Sequence, residues 1–380
     1  AVRTLADAAA RAEVFVRSPG FPRYLPEVQA ALAGGAAMTT PIDLWLGSCA
    51  GDSTVVAITG TKGKSTVTDM VGVLARDAGL EVGVAGNLGV PVFSDDWAHD
   101  APLIVLEVSS YQAADLHHVP EVAVVTFLSE DHLSWHGGVE RYVDDKLRMV
   151  ANEGGVAPTV LVGEVGGSAA VELERRGVAF EVVGAPTATS TDVPRHRLQN
   201  AALAAAALAA AGGPPVDPAV VLEAARSSLP GRLDELAGPP GMQVRWVDDA
   251  LASNPSATAA GLAWLRGLAL PTVVILGGAD RGVDPRPLID EVARWGSGAL
   301  RAVALPDNGR RLALACGIDA VADAIDAADA VGAARSLLGD VPAGVVIFSP
   351  ASPTRPGEGN WQTRSDQFRA AVAALSPATP

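Results

Sequence analysis

At 380 residues the chain is too long for one small core, so two domains, with part of a third, are expected. A hydrophobic share of 49% against 19% charged residues excludes a disordered chain. The formal charge of −15, with no basic stripe to offset it, excludes a nucleic-acid binder; a phosphate-rich ligand would need its own cluster of Lys and Arg.

The first residue is Ala, and residues 1–50 read as the tail of a domain. Val14 to Val16 suggests a short strand running into the turn Ser18-Pro19-Gly20. Pro26 to Gly34 suggests a helix closed by glycine. So few elements cannot bury a core alone. Either the segment packs on the next domain or its beginning is missing. Two cysteines, Cys49 and Cys316, offer neither a disulfide framework nor a metal-ligand spacing. No signal peptide or membrane span is legible, and the Ala-rich run 201–212 is too short and small-sided to cross a bilayer. A reducing cytoplasm without membrane insertion is the expected setting.

From Thr54 strands and helices alternate, the pattern of a parallel sheet. The run Val55-Val56-Ala57-Ile58-Thr59-Gly60-Thr61-Lys62-Gly63-Lys64-Ser65-Thr66 comes first. A β-branched strand enters a glycine turn. An amphipathic helix follows, with Val67, Met70, Val71, Leu74 and Ala78 at helical spacing. Gly60 and Gly63 let backbone N–H groups approach phosphate oxygens, and the helix N-terminus adds positive potential. Lys64 can reach the β- and γ-phosphates, and Ser65 or Thr66 can ligate Mg²⁺. Ile58 stands where the strict pattern wants its first glycine, so this is a shortened P-loop, G-T-K-G-K-S-T. A glycine turn with a helix cap is the alternative; the full strand–loop–helix context favours nucleotide binding.

Further strands are predicted at Glu81–Ala85, Leu103–Val108 and Val122–Leu128. Asn87, Glu107 and His132 lie at their ends. In a parallel sheet the carboxyl ends share one edge, so these residues converge with the P-loop there. Glu107 is a natural Mg²⁺ ligand, because Mg²⁺ takes one or two carboxylates beside phosphate oxygens; the alternative is a solvated strand-end acid. Asp131-His132 with His136 invites a zinc reading, but no third ligand follows at a suitable spacing. Residues 139–151 suggest a helix carrying Tyr142, Lys146 and Met149. Lys146 could turn back to the same edge or be an ordinary surface lysine. After a strand at Thr159–Gly163 and a poorly patterned stretch to Pro194, a long Ala-rich helix is predicted at His196–Ala211, then another from Asp217 to about Ser228. Asn200, a poor helix former inside the first, is either kept for a hydrogen bond or simply exposed.

The pattern breaks at Leu229-Pro230-Gly231-Arg232 and again at Gly238-Pro239-Pro240-Gly241. A domain boundary is expected near Gly231. Beyond it, strands are predicted at Val244–Val247, Val273–Leu276, Ala302–Leu305 and Val345–Phe348. Asp248-Asp249, Gly277-Gly278-Ala279-Asp280-Arg281-Gly282 and Ser349-Pro350-Ala351-Ser352-Pro353-Thr354-Arg355 follow three of them and line one edge of a second α/β sheet.

Taken together, G-T-K-G-K-S-T at Gly60–Thr66, G-N-L-G-V-P at Gly86–Pro91, L-E-V-S-S-Y-Q at Leu106–Gln112, D-H-L-S-W-H at Asp131–His136, Y-V-D-D-K-L-R at Tyr142–Arg148, L-P-G-R at Leu229–Arg232, G-G-A-D-R-G at Gly277–Gly282 and S-P-A-S at Ser349–Ser352 resemble the Mur ligases, ATP-dependent amide ligases of peptidoglycan precursor synthesis. The resemblance is strongest to the glutamate-adding members. It implies an α/β architecture with a central P-loop parallel-sheet ATPase domain at 51–230 and a C-terminal Rossmann-like domain at 231–380 that binds the amino acid. The remnant of an N-terminal UDP-sugar-binding domain, 1–50, would precede them.

The same resemblance implies roles by position. Gly60, Thr61, Lys62, Gly63, Lys64, Ser65, Thr66, Asn200, Arg232 and Asp249 would bind ATP. Ser65, Glu107, His132 and Lys146, the last as a carbamate, would hold two Mg²⁺ ions. Lys64, His132 and Lys146 would be the catalytic set. Asn87, Ser109, Ser110, Ser253, Arg281, Thr354, Arg355 and Trp361 would contact substrate. The implied substrates are UDP-N-acetylmuramoyl-L-alanine and glutamate, joined through an acyl phosphate and a tetrahedral intermediate by a monomer.

Several positions depart from the family pattern. Only the end of the UDP-binding domain is present, so the chain as given is expected to bind the UDP sugar poorly. Gly231 stands where a His is common, Leu251 for a lysine and Arg197 for an asparagine. Around the expected glutamate pocket Arg281 replaces lysine, Ser253 threonine, Thr354 serine, Arg355 an apolar residue and Trp361 phenylalanine. Arg offers a planar fork where Lys offers a point charge. The changed cation set favours L-glutamate over D-glutamate. D-Glutamate addition is the close alternative, followed by a folylpolyglutamate synthase-like ligase and a non-catalytic nucleotide-binding partner subunit.

Overall fold

The computed structural model describes residues 12–48, 50–87, 90–150, 157–164, 167–185, 193–226, 230–238, 243–339 and 341–375. Cys49, Leu88, Gly89, Leu229 and the turn residues Pro239, Pro240 and Gly241 lie outside them. The described residues fall into two compact units: those up to 185 with 195–226, and 193–194 with those from 230 onward.

The first unit opens on a two-stranded parallel ribbon, β1 (Val14–Val16) and β2 (Ala37–Thr39). Its main sheet has β3 (Thr54–Thr59), β4 (Val82–Gly86), β5 (Leu103–Glu107), β6 (Val122–Val125), β7 (Thr159–Gly163) and β8 (Glu181–Val183), in the order β4-β5-β3-β6-β7-β8 and parallel throughout. β5 and β6 are buried at every residue, as strands covered on both faces must be, and their sequences are accordingly unbroken apolar runs up to Glu107. The helix Lys64–Asp77 buries Val67, Met70, Val71 and Leu74, while Ala78 caps its end instead of extending it.

Segment 12–50 packs on this unit. Ile42 and Trp45, from the helix Pro41–Ser48, join the core of β3, β5 and β6. Buried Arg17 donates to Asp115 and to the carbonyls of Ser18, Pro19, Phe21 and Tyr111. Asp43 accepts from the backbone N–H of His117 and His118.

The second unit is also one sheet. β9 (Asp234–Leu236), β10 (Val244–Asp248), β11 (Thr272–Gly278), β12 (Leu300–Asp307), β13 (Val321–Asp323) and β14 (Gly344–Phe348) run in the order β13-β12-β11-β14-β10-β9. All neighbours are parallel except β9, which closes one edge antiparallel to β10. Separate apolar cores lie on its two faces.

The short elements β2, β8, β9 and β13 and the helices Pro41–Ser48 and Ala169–Arg175 have no clear period in the sequence. The stretch from 164 to 194, read above as unpatterned, contains β8 and the second of these helices. Three-residue edge strands bury too little to impose alternation.

Candidate active site

The P-loop follows β3, which lies between β5 and β6. Gly60 has φ 146°, and a Cβ there would lie 2.0 Å from Thr126 Oγ1, so only glycine fits. Thr126 ties the loop down: its hydroxyl donates to Lys62 O at 2.6 Å and Thr59 O at 3.1 Å. Thr61 N–H donates to Phe127 O, and its hydroxyl donates to Ser129 O and meets Tyr142 Oη at 2.7 Å. Gly63, in the left-handed region, starts the helix, and a Cβ on it would lie 3.0 Å from Asn200 Oδ1. The Ala-rich helix Arg195–Ala210 thus brings Asn200 to the loop. Lys64 Nζ donates back to Gly60 O at 3.1 Å and Thr61 O at 3.4 Å.

Lys146 is the decisive side chain. It is 1% exposed on the helix Val139–Leu147. Its Nζ donates to Gly60 O at 2.9 Å and lies 5.0 Å from the Tyr142 ring centroid. Burial holds its pKa well below the ordinary lysine value, and Lys64 adds to the effect, against the pull of Asp131 and Glu107. It is no surface lysine.

Glu107, also 1% exposed, is the last residue of β5. Its Oε1 accepts from Asn87 Nδ2 at 2.8 Å. Its Oε2 is buried without a hydrogen-bond partner. An orphaned carboxylate oxygen beside a phosphate loop and a low-pKa amine is a donor set suited to a hard cation. His132 sits at the helix start after β6, with φ 51° and its side chain half exposed over Tyr111. Partial burial lowers its pKa; Asp131 opposes this, while Lys146 and Lys62 add to it.

The other seryl positions are engaged within the fold. Ser109 forms a capping box with Gln112. Ser110 Oγ lies 3.1 Å from His136 Nε2, and His136 Nδ1 is 2.7 Å from Asp145 Oδ2, which also accepts from Tyr24 Oη. His136 is fully buried and stacked on Tyr111. It serves as an internal brace between the helix bearing Lys146 and the turn after β5. Sequence reading gave Thr126, Tyr142, His136 and Asp145 no site role. Three of the four sit inside motifs quoted above, which was the available signal.

In the second unit, Asp249 follows β10 and is buried. Ser349 Oγ donates to its Oδ2 at 2.7 Å and Leu233 N–H to its Oδ1 at 3.2 Å. Burial nevertheless pushes its pKa up to about 7. Arg232 is half-buried nearby in sequence. Gly231 has φ 72°, and a Cβ there would lie 2.7 Å from Trp361 Cζ3. The Trp361 ring therefore leaves no room for a side chain at 231. Ser253 and Arg281 line a single concavity at the carboxyl edge. Thr354, Arg355 and Trp361 are not among its lining residues. Arg355 instead pairs with Glu358 and Asp307.

Residues 58–162 match the family model for the Mur ligase middle domain. A UDP-N-acetylmuramoyl-L-alanine--L-glutamate ligase of Micromonospora is 36% identical across 96% of this chain and 83% of its own length. The chain belongs to the Mur ligase family. A Salinispora tropica protein with the same name is 35% identical across 96% of this chain and 84% of its own length. A UDP-N-acetylmuramoylalanine--D-glutamate ligase of Symbiobacterium thermophilum is 29% identical across 94% and 83%. Among solved structures, Acinetobacter baumannii MurF has a TM-score of 0.64 at 18% identity, covering 97% of this chain and 92% of that one. Folylpolyglutamate synthase of Mycobacterium tuberculosis has a TM-score of 0.61 at 18% identity, covering 89% and 95%. At such identities these two establish the fold alone. As a Mur ligase the chain is an ATP-dependent amide ligase with the expected α/β architecture. Among the described residues no helix is long and apolar enough to cross a membrane.

Proposed function

We propose that this Mur ligase joins L-glutamate to UDP-N-acetylmuramoyl-L-alanine, with ATP activating the carboxylate of the UDP sugar as an acyl phosphate. The glutamate-ligase names of the relatives with 32–36% identity over nearly the whole chain support the substrate pair. The observation that carries the chemistry is the buried Lys146 amine, held against the P-loop at Gly60 O beside the unpartnered Oε2 of Glu107.

Gly60, Gly63 and the following helix N-terminus would seat the phosphates, with Lys64 taking the β- and γ-oxygens. Lys64 and the loop N–H groups would draw charge from the transferring phosphoryl group, and the incoming amine then displaces phosphate from the acyl phosphate. Glu107, Ser65 and His132 would hold Mg²⁺, with a carbamate on Lys146 as a further ligand. Bound Mg²⁺ offsets charge on the phosphates. A carbamate forms when a neutral amine attacks CO₂ and loses one proton. The depressed pKa of Lys146 keeps the lone pair available for that step.

The test is phosphate release by the full-length protein given ATP, Mg²⁺ and UDP-N-acetylmuramoyl-L-alanine, with L- or D-glutamate. Turnover with L-glutamate is expected. Turnover with D-glutamate alone would overturn the stereochemistry, and activity on a folate alone would overturn the substrate assignment.

A further inference from the structure

The concavity on the second unit is lined by Ser253, Asp280, Arg281, Asn308, Arg311 and Ser352, among others. Arg310 and Arg311 are consecutive cations at the start of the helix Gly309–Ala315, and nothing in the sequence tells them apart. The structure separates them. Arg310 turns away and makes a two-point pair with Asp323, at 2.9 and 2.5 Å. Arg311 turns into the concavity, with Nη2 2.8 Å from Asp280 Oδ2.

This placement is braced from beneath. A Cβ on Gly309 would lie 2.4 Å from Leu276 O, so the helix start rests directly on β11. Asn308 and Ser352, both buried, are paired side chain to side chain at 2.9 and 3.1 Å. Buried Arg364 donates to Gly277 O and Ser352 O, joining the two loops that form the rim. Asp280 is oriented as well, because its Oδ1 accepts from Gly282 N–H at 2.9 Å. Arg281 lines the same opening and makes no hydrogen bond or ion pair among the described residues.

We propose that Arg311 determines amino-acid specificity by receiving one carboxylate of the incoming dicarboxylic amino acid, while Arg281 receives the other. The proposal rests on the glutamate reading above. In a chain of charge −15, an anionic amino acid needs local cations, and two guanidinium forks on a rigid rim match two carboxylates. Asp280 keeps Arg311 in position before the ligand arrives. A half-exposed pair of this kind is weak, so a ligand carboxylate can join or displace it.

The test uses Arg311→Met in the full-length protein. The KM for L-glutamate should rise at least about tenfold, the value of one charge-assisted contact of about 1.4 kcal/mol. The KM for ATP should stay within about twofold. L-Glutamine and L-isoglutamine each lack one carboxylate. The preference for L-glutamate over one of them should collapse in the variant. Arg311→Lys should restore part of it, and Arg310→Met should change neither quantity. Acyl phosphate trapped with hydroxylamine should still form in Arg311→Met, which shows a folded ATPase site. An unchanged L-glutamate KM with both preferences intact would overturn the proposal. Wild-type protein that uses no glutamate at all would overturn the reading beneath it too.

Discussion

Asp249→Asn should make the second unit more stable at pH 8 and not at pH 5. Asp249 is buried after β10, and burial raises its pKa from 3.8 to about 7. Asp248 pushes the same way, while the bonds from Ser349 and Leu233, and Arg232, pull it down. Because the folded value lies above the unfolded one, the folded state binds the extra proton between pH 3.8 and about 7. The stabilisation is complete at low pH and is lost as pH rises through the folded value. From pH 5 to 7 the wild type loses about 1.4 kcal/mol per unit, about 3 kcal/mol in all. An Asn side chain keeps the acceptor for Leu233 N–H and does not titrate. Its amide requires the Ser349 hydroxyl to turn and accept, at about 1 kcal/mol at either pH. The pH-dependent difference of about 3 kcal/mol corresponds to roughly 6–12 °C in the melting of a unit this size. Urea and thermal unfolding of both proteins at pH 5 and pH 8 measure it. An equal effect of the substitution at the two pH values would refute the assignment of this titration to Asp249.

Three further outcomes follow from the first unit. Lys146→Ala should abolish ligation, and bicarbonate should not restore it; ¹³C-bicarbonate should give a carbamate resonance in the wild type and none in the variant. Gly60→Ala should destabilise the first unit by roughly 3 kcal/mol or more, since it combines a strained φ with a clash that breaks the Thr126 bonds to Lys62 O and Thr59 O. Calorimetry would show this, together with loss of ATP binding. Glu107→Gln keeps the bond from Asn87 yet removes the orphaned carboxylate oxygen, so Mg²⁺ should no longer strengthen ATP binding; titration of ATP with and without Mg²⁺ reads the difference.

The central architecture was legible in the residues. Apolar β-branched runs ending in Gly60, Glu107 and Ser129 require buried parallel strands, and a parallel sheet places their carboxyl ends on one edge. The motifs also carried the family, and with it an amide-ligase activity. Short edge strands such as β8 and β13 escaped, because three residues bury too little to leave a pattern.

What the sequence alone determined, then, is which strand ends share one edge: the glycine-rich loop at Gly60, Glu107 and His132, with Lys146 left open. Tertiary structure decided what each side chain experiences there. Lys146 is a surface lysine or a buried amine depending on whether its helix turns back to Gly60 O, and it is the burial there, with Lys64 nearby, that depresses its pKa. Ser110 and His136 became a brace because Asp145 lies behind them. Arg310 and Arg311 are one charge repeated in the sequence; the seating of Gly309 on β11 sends one to Asp323 and the other into the concavity. Periodicity reports which face is buried, whereas desolvation and the direction of a side chain depend on neighbours far along the chain.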